Sequence, residues 1–138
     1  MTKLTHINPD NMAPYLQYGL SHAVAVGGGK TVYWSGEVGW DENGDTVGPD
    51  LASQLAQAHI NIKKILAEVG ATPADIVRLN TYVAHYGPDD GAVVNAANHK
   101  LFEGITPPSA TLIGLPALYA PDIRCEVEIG RASCRERG

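Results

Sequence analysis

The chain has 138 residues, 44% of them hydrophobic and 18% charged, with 10 Lys plus Arg against 15 Asp plus Glu and a formal net charge of −5. That length suits one domain with a real core, and the composition carries no disorder signature. No run of about 18 apolar residues occurs, which excludes a membrane-spanning helix, and an acidic chain without a basic stripe is poorly suited to nucleic acid, whose binding rests on phosphate neutralisation.

The first residues, Met1-Thr2-Lys3-Leu4-Thr5-His6, lack the apolar core of a signal peptide, which points to the cytoplasm. Residues 1–18 show no clean periodicity and hold Pro9 and Pro14, so they read as an irregular lead-in. Ser21–Val26 reads as a strand, Gly27–Lys30 as a turn and Thr31–Ser35 as the hairpin partner of that strand. Asp41–Asp45 is a second turn with Asn43-Gly44 at its centre. Asp50 then caps a helix in which Leu51, Leu55, Ala58, Ile62, Ile65, Leu66 and Val69 recur at helical spacing until Gly70 stops it.

Ile76–Val83 is a strand long enough to be central. Pro88-Asp89-Asp90 opens a second helix with Val94, Ala97 and Leu101 as its apolar stripe. Ser109–Leu115 and Ile123–Ile129 are the closing strands. The order ββ-α-β-α-ββ predicts an α+β sandwich, a mixed sheet with both helices on one face. An apolar second face would need cover, so an oligomer is expected.

Residues 130–138, Gly-Arg-Ala-Ser-Cys-Arg-Glu-Arg-Gly, break the strand pattern and resemble vector read-through, so the domain is expected to be 1–129 with a non-native tail. Without the tail, Lys plus Arg falls from 10 to 7 and Asp plus Glu from 15 to 14, which leaves −7. The last strand is then expected to stop near Ile129. The two cysteines, Cys125 and Cys134, are too few for a disulfide framework or a structural zinc site.

Several short segments share one pattern. Ser21-His22-Ala23-Val24, Val32-Tyr33-Trp34-Ser35-Gly36-Glu37-Val38, Asn61-Ile62-Lys63, Val94-Asn95, the Pro107-Pro108-Ser109 entry to a strand, and Glu126-Val127-Glu128 together span residues 18 to 129. They resemble the RidA (YjgF-type) family of reactive-intermediate deaminases, whose corresponding motifs read Ser-Gln-Ala-Val, Val-Tyr-Val-Ser-Gly-Gln-Ile, Asn-Ile-Lys, Val-Asn, Pro-Ala-Arg and Glu-Ile-Glu. The resemblance implies a chorismate-mutase-like fold, a homotrimer with a central barrel, and a cleft at each subunit interface. It also implies hydrolysis of small imines and enamines to carbonyl compounds and ammonia, with no metal or organic cofactor.

Carried over by position, the resemblance puts Glu126 at the water-activating place and Ser35 and Gly36 at the pocket wall. Asn95 falls on the family asparagine. Two positions depart: Ser109 stands for the arginine that pairs with a substrate carboxylate, and Leu20 for a pocket tyrosine, with Tyr18 two residues away. A hydroxyl cannot replace a bidentate guanidinium. The chain is therefore read as a hydrolase with an altered imine, enamine or carbonyl substrate; the alternative is a trimer that binds a small molecule without turning it over.

In the hydrolase reading Glu126 is catalytic and Ser109 polarises the electrophile. Arg124, two residues before Glu126 on the same strand face, either takes over the missing arginine's role or pairs with Glu126 or Glu128. His22, where the family has glutamine, is a candidate pocket residue. Gly19-Leu20-Ser21-His22-Ala23 is not a nucleophile elbow, because it enters a strand, and Gly27–Thr31 lacks the first glycine of a phosphate loop. The five histidines show no paired helical spacing for a metal. Cys125 alternates away from Glu126, and Trp34, Trp40 and Tyr33 read as packing residues of the sheet or interface.

Overall fold

A computed structural model of the chain describes residues 3–8, 10, 15–19, 21 and 23–134. Seven strands and two helices follow in the order β1 Lys3–Ile7, β2 Ala23–Gly27, β3 Lys30–Val32, β4 Glu37–Val38, α1 Leu51–Glu68, β5 Ile76–Ala84, α2 Asp90–Leu101, β6 Ser109–Leu115 and β7 Cys125–Cys134. Short 3-10 turns cover Tyr15–Tyr18 and Pro73–Asp75. Strands β3, β7, β5 and β6 form one sheet in that order, with β4 also paired to β7. β5 and β6 are parallel and joined through α2, whereas β5 and β7 are antiparallel, so the sheet is mixed.

Helix α1 forms because its apolar residues return every three or four positions. Asp50 accepts a hydrogen bond from the Ser53 amide at its start, and Gly70, at φ +69, ends it. Its buried face, Leu51, Leu55, Ala58, Ile62 and Leu66, meets Leu79 and Val83 of β5 and Cys125, Val127 and Ile129 of β7. Val94 and Leu101 of α2 join the same cluster, so both helices cover one face. Each Leu or Ile buried there contributes roughly 1.5–3 kcal/mol. The α+β arrangement expected from the sequence is the observed one.

Three local expectations need correction. The lead-in holds a strand: β1 pairs antiparallel with β2, Lys3 opposite Gly27 and Ile7 opposite Ala23. The segments around the Gly27–Lys30 turn are not hairpin partners either, because β2 pairs with β1 while β3 pairs with β7. A partner distant in sequence has displaced the local one. Lastly, β7 does not stop near Ile129; Ala132, Ser133 and Cys134 lie opposite Val32, Thr31 and Lys30.

The sheet face turned from the helices is more polar than expected. Asn80 Nδ2 and Tyr82 Oη each donate to Glu128 Oε1 at 3.0 Å, and Arg78 donates to Thr111 Oγ1. Ile113 of β6, opposite Tyr82 on this face, remains 38% exposed. No helix among the described residues is long and apolar enough to cross a membrane.

Candidate active site

Glu126 is the second residue of β7 and points away from the core, since Cys125 and Val127 on either side are fully buried. It lines a cleft of about 320 Å³ together with Gly36, Glu37, Val38, Trp40, Asn61, Tyr119 and Ile123. The cleft lies where β4 pairs with β7, with Glu37 opposite Val127 and Val38 opposite Glu126. Gly36 gives the carboxylate its room: a β-carbon there would lie 2.8 Å from Glu126 Cδ. Among the described residues no side chain hydrogen-bonds or ion-pairs with Glu126, which leaves both oxygens available to water or ligand.

The wall opposite is held from α1. Asn61 Nδ2 donates to the Val38 carbonyl at 3.2 Å and to the Trp40 carbonyl at 2.9 Å. A β-carbon on Gly39 would lie 2.7 Å from Gln54 Cα, so this glycine lets the strand segment touch the helix backbone. Gln54, fully buried, donates to the Gly48 and Asp122 carbonyls and accepts from the Arg124 amide at 2.7 Å. The loop that leads into β7 is thereby tied to the same helix.

Glu37 faces the cleft beside Glu126. Partial burial and then the neighbouring Glu126 charge push its carboxyl above the ordinary range. A carboxyl of raised proton affinity beside a second carboxylate in one cleft is an arrangement suited to proton transfer. Trp40 and Tyr119 meet edge to face at the mouth, ring centroids 6.1 Å apart. Tyr119 is 84% exposed and Trp40 37%, so neither ring serves the core.

Of the other residues singled out from the sequence, none that is described lines this cleft. Ser109 opens β6 opposite Arg78, whereas Glu126 lies opposite Tyr82. The two are thus separated by β5 and by four residues along it, about 13 Å lengthwise and about 10 Å across. The Ser109 hydroxyl is donated to the Val77 carbonyl at 3.0 Å. Arg124 pairs neither with Glu126 nor with Glu128: it bonds Asp90 Oδ2 at 2.9 Å and the Ala84 carbonyl at 3.1 Å, bracing the start of α2. Asn95 is half-buried on α2, and Ser35 is exposed next to Gly36. Tyr18 ends the 3-10 turn Tyr15–Tyr18, while Leu20 and His22 lie outside the described residues.

Sequence reasoning passed over Glu37, Asn61 and Tyr119 as site residues. Glu37 and Asn61 were within reach, since each adjoins or belongs to a segment that resembles the deaminases. Tyr119, in a loop with no periodicity, carried no signal.

Comparison with known proteins agrees with this fold. The family model described as Endoribonuclease L-PSP matches residues 9–132. A 2-iminobutanoate/2-iminopropanoate deaminase of Dermatophagoides farinae is 29% identical over 126 residues, 90% of this chain and 89% of the relative. A RutC family protein of Haemophilus influenzae is 31% identical over 105 residues, 75% of this chain and 74% of that protein. Among solved structures, a protein of unknown function of the conserved Rid family, YyfB from Yersinia pestis, superposes with a TM-score of 0.91. It is 39% identical and covers 95% of this chain and 98% of its own. The chain belongs to the Endoribonuclease L-PSP family of Rid (YjgF-type) proteins.

Proposed function

We propose that the chain hydrolyses a small imine or enamine in the Glu126 cleft, with release of ammonia and a carbonyl compound. The observation that carries this reading is Glu126 itself: a carboxylate without a side-chain partner among the described residues, given room by Gly36, in a chain 29% identical to an imine deaminase. In this mechanism Glu126 takes a proton from water as it attacks the C=N carbon. A carbinolamine forms, its nitrogen accepts a proton, and the C–N bond breaks to give the carbonyl and ammonia. Glu126 returns to the nitrogen the protons it takes from oxygen, so the step balances with one carboxylate.

The substrate differs from a 2-imino acid. Ser109 stands where Pro-Ala-Arg has its arginine, and a hydroxyl cannot form the bidentate ion pair with a carboxylate. Losing such a pair costs roughly 1.5–3 kcal/mol, about tenfold to a hundredfold in affinity for a carboxylate-bearing imine. Cleavage of RNA is disfavoured by the net charge of −5. The reading includes a homotrimer with its cleft at the subunit interface.

Ammonia release from imines freshly generated by an oxidase tests the reaction. Glu126→Gln should reduce it by about two orders of magnitude or more. A variant as active as the parent would remove Glu126 from the mechanism. Tight binding of imines without turnover by the parent chain would favour the non-catalytic binding trimer.

A further inference from the structure

The acidity of the cleft is not balanced from within the subunit. Glu37 and Glu126 both line it, and the remaining described lining residues, Gly36, Val38, Trp40, Asn61, Tyr119 and Ile123, carry no positive charge. The cation closest in sequence, Arg124, is committed to Asp90 and the Ala84 carbonyl. Two ionised carboxylates held together without a counter-charge repel each other, and partial burial adds to the cost. Burial and the Glu126 charge already hold the Glu37 carboxyl above its usual range. An incoming cation relieves both penalties.

A second observation points the same way independently of the carboxylates. Trp40 and Tyr119 stand edge to face on the cleft lining, with Tyr119 84% exposed. Large aromatic rings left in solvent at a cleft mouth lower their cost when a ligand covers them. Ring faces attract ammonium and other cationic groups through the negative face of the aromatic quadrupole. Carboxylates below and aromatic rings at the rim form a site for an organic cation with an apolar stem.

We propose that the cleft selects an imine or enamine substrate that carries a positively charged amino group and no carboxylate, with Glu37 as the residue that sets this preference. The proposal rests on the hydrolytic reading of the same cleft and adds the substrate class to it. Glu37 binds the charged amino group while Glu126 serves the reacting carbon, so charge selection and chemistry fall to different carboxylates. The reaction remains the addition of one water across C=N and the loss of one ammonia, with no other reactant.

The test uses three imines released in situ: from 1,6-diaminohexane and from hexylamine by a flavin amine oxidase, and from leucine by an amino-acid oxidase. Hydrolysis is read by competition with semicarbazide trapping. The expected result is a kcat/KM at least tenfold higher for the ammonium-bearing imine than for the neutral one, and a ratio that collapses towards one in Glu37→Gln. A ratio near one in the parent chain, or a preference for the 2-imino acid, would overturn the inference and leave the hydrolytic reading standing. If no imine is hydrolysed, the hydrolytic reading fails, and calorimetry then decides the inference by itself. Saturable binding of 1,6-diaminohexane, absent for hexanoate and lost in Glu37→Gln, supports a cation site; no binding of the diamine overturns it.

Discussion

A β-carbon on Gly36 would approach Glu126 Cδ to 2.8 Å, so Gly36→Ala must displace the carboxylate or the segment leading into β4. We expect Gly36→Ala to lower imine hydrolysis at least tenfold while thermal unfolding shifts by only a few degrees; unchanged kinetics would mean that Glu126 need not occupy its present position. His59, in the middle of α1, makes a different point. Burial, and then Lys63, hold its imidazole down at about 4 against an ordinary 6.5. A depressed histidine stays neutral in the folded state while the unfolded chain takes up a proton, so its contribution is intact above about pH 6.5. It is lost as pH falls from there towards 4, with a limit of roughly 3 kcal/mol. Denaturant titrations of the parent and His59→Leu between pH 4 and 7 should diverge in slope, the variant being flatter. The sequence made Glu126 and Gly36 legible because both sit in segments resembling known deaminases. It could not show that Glu37 shares their cleft, since that follows from β4 pairing with β7, a contact between residues about 90 positions apart.

At the scale of elements, helix α1 does more than cover the sheet. Gln54 takes the Arg124 amide and gives its own amide hydrogens to the Gly48 and Asp122 carbonyls. Gln54→Leu keeps the volume and removes three part-buried hydrogen bonds to backbone groups, a cost of roughly 1–3 kcal/mol that urea unfolding would read directly. The helix spans themselves were readable: Asp50 and Gly70 bound α1 as capping chemistry requires, and Ser109–Leu115 is the strand its pattern predicts. Strand partners were not. The Gly-rich turn after β2 suggested a hairpin, yet β1 supplies the partner of β2 and β7 that of β3, because pairing is decided by the whole sheet and not by the nearest turn. Gln54 was likewise unreadable: a glutamine at a helix position facing the core looks like a break in the apolar stripe until its three backbone partners are brought to it.

For the whole molecule, the expectation of an oligomer rested on a bare apolar sheet face. The face turned from the helices instead carries Asn80 and Tyr82 bonded to Glu128, with Ile113 exposed along β6. Assembly through such a face would bring together polar groups, among them Asn80 Oδ1, which has no partner among the described residues, so subunit contacts would be polar and wet, with few apolar anchors. Sedimentation velocity should give a species three times the chain mass of 14.6 kDa. A monomer at all concentrations would confine the cleft to residues of a single chain.

The bond from the Arg124 amide to Gln54 also provides a clock. Held by a fully buried helix side chain, that amide exchanges its hydrogen with solvent only when the segment leading into β7 leaves the helix. Its deuterium uptake would therefore report the opening of this segment from a position two residues before Glu126. A ligand in the cleft that binds only the closed form should slow that uptake by a factor of one plus the ratio of free ligand concentration to Kd, which makes one backbone nitrogen a readout of occupancy that requires no chemical turnover.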